Sequence, residues 1–208
     1  MLKVRHPIVS SMEYQKNFLR NMIDMFPDIY QSWSDKEYSN FQNIAKQSSD
    51  GFREVENTIY NYYDDLFQSQ FSGVTSLFYN AMLVMTYSFY EEFINKIAND
   101  KEKGFECSSQ DSYKKITCLM DSKNKKFSQK CLNDIKYINK YIRILRNDIC
   151  HNNAGTLKHK KEIKELCNRQ KDVIIDQDII LITGKDFILD VLNKEFLILS
   201  ELVNKLEY

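Results

Sequence analysis

Arg146, Asn147 and His151 are the residues of this chain whose types and spacing could do chemistry. Asn147 and His151 stand four apart, which makes them neighbours on a helix. At about 100° per residue, Lys136, Lys140, Arg143, Asn147 and His151 fall in one sector of the segment Ser128–His151. Arg146 lies on the flank of that sector, its long side chain able to swing toward His151. An imidazole can move a proton. A guanidinium can stabilise charge gathering on phosphoryl oxygens. On a basic face, that pair suits phosphodiester chemistry on RNA, where the 2′-hydroxyl is a built-in nucleophile and no metal is required. Competing chemistries lose support. The histidines stand at positions 6, 151 and 159, none paired at metal-ligand spacing, and there is no Walker A loop, Gly-rich dinucleotide loop or GxSxG elbow.

These residues must be carried by a helix. Ser128 reads as its N-cap, and Cys131, Ile135, Ile138, Ile142, Leu145 and Ile149 recur in steps of four and three, a helical apolar stripe opposite the basic sector. Asn152-Asn153-Ala154-Gly155 should end it with residues that tolerate left-handed backbone. Upstream, the pattern predicts helices over Ser10–Phe26, stopped by Pro27, then Asp35–Gln47, Gly51–Gln70 and, beyond Gly73, Val74–Ala98. Asn99 to Gln110 reads as a loop and Asp111–Asp121 as a short helix. Downstream, Lys158–Lys171 is a basic, helical segment. Val173–Ile175 and Ile179–Thr183 form a small hairpin, and Phe187–Leu206 a closing amphipathic helix. With 5 Gly and 2 Pro in 208 residues, an all-β protein is excluded for want of turn residues. The expected fold is all-α, a single-domain helical bundle with a small β-hairpin near the C-terminus. It divides into N-terminal helices (about 10–70), core and motif helices (about 74–151) and a C-terminal hairpin and helix (about 172–206).

Charge is uneven. Residues 113–171 hold 16 Lys and Arg against 5 Asp and Glu, whereas residues 1–112 hold 10 against 16 and residues 172–208 hold 3 against 8. A neutral chain therefore hides a basic middle, the footprint of a phosphate-bearing partner. The five cysteines, at 107, 118, 131, 150 and 167, are odd in number and contain no CxxC pair. Reduced, mostly buried thiols in a cytoplasmic protein are the expectation, rather than a disulfide framework or a zinc knuckle. The first residues carry no apolar run of the signal-peptide kind. Leu66–Tyr90 has no charge, but polar residues and Gly73 interrupt it. It reads as a helix buried in a core rather than a membrane span.

Arg146-Asn147-Asp148-Ile149-Cys150-His151 matches the R-[N/D/H]-x3-H form of the RxxxxH motif and so resembles the HEPN superfamily. The setting is similar: the motif ends a helix late in an all-α chain, with a small polar turn after it. Met82–Ile97, MLVMTYSFYEEFINKI, resembles the long apolar helix ending in Glu of several bacterial HEPN families. The hairpin and last helix also look like theirs, so the likeness spans about residues 10–206. The resemblance implies a HEPN-type bundle and a metal-independent endoribonuclease of a toxin–antitoxin, abortive-infection or other antiphage system. It implies no cofactor, and a homodimer in which two motifs meet in one cleft. Arg146 and His151 would be catalytic, with Asn147 as the polar residue after the arginine. Some HEPN proteins keep the fold without activity and bind RNA or a partner instead.

Glu91 and Glu92 end the apolar helix and could pair with Arg146 or orient His151, or simply face solvent. Lys158, Lys160 and Lys161 could hold RNA phosphates alongside Lys136, Lys140 and Arg143, or form an ordinary solvated face. His6 and His159 have no constellation. The aromatic richness of residues 52–90 reads as core and dimer interface more than as base stacking. Three functions are open: an endoribonuclease, a non-catalytic RNA- or protein-binding helical module, and a subunit that acts only with a partner such as an antitoxin.

Overall fold

The computed structural model describes residues 6–49, 52–100, 103–105, 107–152, 160–177 and 179–208. It is 79% helix. The helices are α1 (Pro7–Ser48), α2 (Arg53–Ala98), α3 (Ser112–Ser122), α4 (Gln129–Tyr137), α5 (Arg143–Asn152), α6 (Lys160–Cys167) and α7 (Lys185–Lys205). A π turn, Ile138–Ile142, joins α4 to α5. Strands β1 (Val173–Asp176) and β2 (Ile179–Ile182) form an antiparallel hairpin with Val173 opposite Ile182 and Asp176 opposite Ile179. Gln177 turns it with a φ of 46°. The all-α fold with a small C-terminal hairpin is as expected. Among the described residues no helix is long and apolar enough to cross a membrane.

Helix α7 is the centre of the bundle. Its residues Phe187, Ile188, Val191, Leu192, Ile198, Leu199, Leu202 and Val203 are all buried, at the three- and four-residue spacing of a helix facing a core. It packs against α1, α2 and α4. The C-terminal half of α2 supplies Tyr87, Tyr90, Phe93, Ile94 and Ile97 to the same core. The hairpin lies on α2 through β2. Where the hairpin meets α7, a Cβ at Gly184 would come within 2.5 Å of the Asp172 side chain, which would have to move aside.

Four expectations are corrected. Pro27 does not stop the first helix, since it lies inside α1, and the predicted Asp35–Gln47 helix is part of the same element. An interior proline forfeits a hydrogen bond and crowds the preceding turn, at a cost of about 3 kcal/mol. Packing on both sides offsets this: Ile23 is buried, and the Phe26 ring stacks on Phe78 of α2 at 3.5 Å between centroids. Gly73 does not divide α2, which runs straight through it. The motif helix is not uniformly α-helical. Its π turn adds a residue to one turn, yet the apolar stripe stays buried through Leu145; in the last turn Asp148 is buried and Ile149 is half-buried against the core. Finally, the thiols are not all reduced. Cys107 and Cys118 form a disulfide, leaving Cys131, Cys150 and Cys167 free. Helix α3 brings their Cα atoms to 5.9 Å, within the range a bridge needs. Reduced thiols therefore no longer argue for a cytoplasmic setting.

Candidate active site

Helix α5 carries the motif and is contacted by α2, the π turn and α6. Each face of the motif segment meets a different neighbour. Toward α2, the Arg146 guanidinium lies 3.6 Å from the Glu91 carboxylate through Nη2 and 5.5 Å from the Tyr87 ring centroid. Its Nη1 donates to Asn147 Oδ1 at 3.0 Å. Its Nε is buried and makes no hydrogen bond among the described residues. Glu91 is braced from a third helix: the Ser112 hydroxyl, at the start of α3, donates to its Oε1 at 3.3 Å. The Arg146 side chain is 24% exposed, so its position is fixed while part of it still faces solvent.

Toward α3, Arg143 pairs with Asp111 at 3.7 Å, and its Nε donates to the Asn139 carbonyl at 3.4 Å. Asp111 is also the N-cap of α3, accepting from the Lys114 amide. Toward α6, Lys140 pairs with Glu165 at 2.6 Å and donates to the Tyr141 hydroxyl, which in turn donates to Glu165. The hydrogen bonds from Lys140 and Tyr141 hold the Glu165 carboxyl below its usual range. His151 is exposed in the last turn of α5. No hydrogen bond joins it to Arg146 among the described residues.

The single sector expected for Lys136, Lys140, Arg143, Asn147 and His151 is thus divided. The structure brings Arg146, Asn147 and Glu91 together. Arg143 and Lys140 are committed to partners on α3 and α6, while Lys136 and Lys161 are exposed. Glu92 is not part of the cluster: it pairs with Lys96 at 2.6 Å and lines the α1 side of α2. Lys158, His159 and the side chain of Lys160 lie outside the described residues.

Several members of the site were not read from the sequence. Ser112, Asp111 and Tyr87 are ordinary residues that only the packing of α3 and α2 brings to the motif. Glu195 did leave a signal, since it falls within the apolar stripe of α7. It is fully buried, with neither carboxylate oxygen hydrogen-bonded among the described residues. Burial, then the nearby charge of Glu91, holds its carboxyl well above the usual carboxylate range. Burial likewise pushes the Tyr87 and Tyr90 phenols upward. The buried groups near Glu91 and Arg146 thus include an acid and two phenols whose ionised forms burial disfavours.

Comparison of the chain with protein-family models, with curated proteins and with solved structures finds no match.

Proposed function

We propose that the chain is a metal-independent endoribonuclease of the HEPN type, with Arg146 and His151 as its catalytic residues. The observation that carries this reading is the pairing of a fixed guanidinium with a solvent-facing imidazole on one helix end. Arg146 is held by Glu91 and Asn147, and His151 stands exposed one turn further on. The 2′-oxygen of the ribose attacks the adjacent phosphorus and His151 accepts its proton. The bond to the 5′-oxygen breaks, and that oxygen leaves with a proton returned by an imidazolium. The products are a 2′,3′-cyclic phosphate and a 5′-hydroxyl. Arg146 stabilises the charge on the non-bridging oxygens, while Asn147 and Glu91 position it.

In-line attack puts nucleophile and leaving group on opposite sides of the phosphorus, so one His151 serves poorly as both base and acid. The reading therefore includes a homodimer in which a second copy supplies the second His151. The α1/α2 face favours this association over α7. Tyr14, Phe18, Met25 and Ile29 are exposed along α1, whereas α7 exposes only Leu197 among its large apolar residues. A cytoplasmic toxin or antiphage role, with an antitoxin or other defence protein as partner, goes with this reading. In that compartment the Cys107–Cys118 bridge would stand against a reducing glutathione pool.

The test is purified protein with single-stranded RNA, and with its fully 2′-deoxy counterpart, in excess EDTA. Cleavage of the RNA alone is expected. Cleavage of both strands, or cleavage only on adding Mg²⁺ or Mn²⁺, would overturn the mechanism. A second reading has one observation in its favour. The Arg146–Glu91 pair also suits a strut between α5 and α2 in a non-catalytic module that binds RNA or protein, and that module would cut neither strand.

A further inference from the structure

A cleft of about 270 Å³ opens between α3 and α4. Its walls combine an aromatic ring, apolar surface and positive charge. Tyr113 is 42% exposed and Leu132 37% exposed, with Phe127 beside them. Lys125 and Lys126 stand at its edge, with Asp121. The Tyr113 ring packs on no other ring and its hydroxyl makes no hydrogen bond among the described residues. Lys126 has no ionic partner among them, and Lys125 reaches only the exposed Glu207, at 3.9 Å. An unused ring and an unused cation at one cleft are what a base and its phosphate require.

The cleft is connected to the motif. A narrow gap lined by Tyr87, Ser112 and Asn139 shares Tyr113 and Ile135 with it. Ser112 touches Glu91, and Asn139 accepts from Arg143. Ile135 and Arg146 are eleven residues apart on the motif segment, about 16 Å along a helix axis. That distance separates cleft and motif by a few nucleotides of strand. The volume lies just below the roughly 300 Å³ at which pockets begin to hold drug-sized ligands, which suits one base. The larger groove between α1 and α2, about 480 Å³, has Glu92 as its only charged lining residue and offers no cation to a phosphate.

We propose that the α3/α4 cleft is a base-binding subsite for single-stranded RNA, in which one unpaired base stacks on Tyr113 while Lys125 and Lys126 hold the adjoining phosphates. This rests on the ribonuclease reading and deepens it. The subsite seats the strand a few nucleotides from Arg146, so it selects unpaired RNA and sets where the cut falls.

The test is the affinity of the full chain for a short single-stranded RNA, measured by fluorescence anisotropy with His151→Ala to keep the strand intact. Tyr113→Ala is expected to weaken binding roughly 5- to 150-fold, the usual worth of one stacked base. Tyr113→Phe should bind as its parent does. An abasic site moved along the strand should weaken the parent at one position and there leave Tyr113→Ala unchanged. Because Tyr113 is exposed, unchanged melting curves are expected to accompany both substitutions. Tyr113→Ala binding as tightly as its parent, while the unmutated chain still cleaves RNA, overturns the subsite and leaves the ribonuclease. Tyr113-dependent binding without cleavage by the unmutated chain overturns the ribonuclease and leaves the subsite. A chain that binds no RNA overturns both.

Discussion

At the scale of single residues, His151 and Arg146 are separable by their surroundings. His151 is exposed and makes no hydrogen bond among the described residues. His151→Ala should therefore abolish cleavage and leave stability within about 0.5 kcal/mol, checked by circular-dichroism melting. Arg146 is different, because its removal takes away the cation that pairs with the half-buried Glu91 and the side chain that packs on the Tyr87 ring. Arg146→Ala should abolish cleavage and also destabilise by about 1–3 kcal/mol. Arg146→Lys keeps the charge but not the planar fork and should lose cleavage with a smaller drop in melting temperature. Glu195 yields a pH prediction. Below the usual carboxylate range both folded and unfolded chains hold its proton. As pH rises above that range the unfolded chain releases the proton while the buried group keeps it, so folding loses stability. Glu195→Leu should therefore gain stability over the unmutated chain at neutral pH, with the gain shrinking as the pH is lowered toward 4, well within the usual carboxylate range. A gain equal at both pH values in calorimetric scans would contradict a neutral buried acid.

At the scale of elements, Gly73 gives the cleanest experiment. It sits inside α2, and an added Cβ would meet nothing within 4 Å. Gly73→Ala should stabilise by about 0.5–1 kcal/mol through helix propensity alone, read as a rise in melting temperature. A fall would mean that α2 needs flexibility there. Gly73 and Pro27 also show why helix boundaries were less legible than helix positions. Both are genuine local breakers; Pro27 is overridden by the packing of α1 on α2, which no short window of sequence contains, while α2 simply runs through Gly73 at an open position. The motif helix was legible from its Cys131–Leu145 stripe and its Ser128 cap, which accepts from the Cys131 amide. The π turn and the burial of Asp148 were not legible, nor was it that α6, the start of α3 and α2 each take one of Lys140, Arg143 and Arg146. The same limit applies to the Cys107–Cys118 bridge, since the two residues meet only once α3 has folded back on the segment before it. Of the candidate site, Arg146 and Asn147 were readable from the motif itself, whereas the sequence leaves Glu91 open between pairing and solvent, and only the packing of α2 on α5 brings it to Arg146. Ser112 and Tyr113 were not readable, because they arrive from α3.

At the scale of the whole molecule, the chain is acidic at both ends and basic between, and its long α1/α2 pair exposes an apolar stripe. Tyr14, Phe18, Met25 and Ile29 lie within about 60° of one another around α1. The dimer proposed above would cover that stripe with a second copy. Sedimentation should give about twice the 24.8 kDa chain mass, and Ile29→Glu, on a side chain 60% exposed, should return it to a monomer without unfolding it. RNA affinity should fall steeply with added salt, as phosphate contacts do. The most direct measurement takes the unmutated protein and His151→Ala, purified in parallel, and counts 2′,3′-cyclic phosphate ends formed on one RNA in excess EDTA. Cyclic ends from the unmutated protein and none from His151→Ala are predicted. Equal numbers from the two, or none from either, would contradict a catalytic Arg146–His151 site.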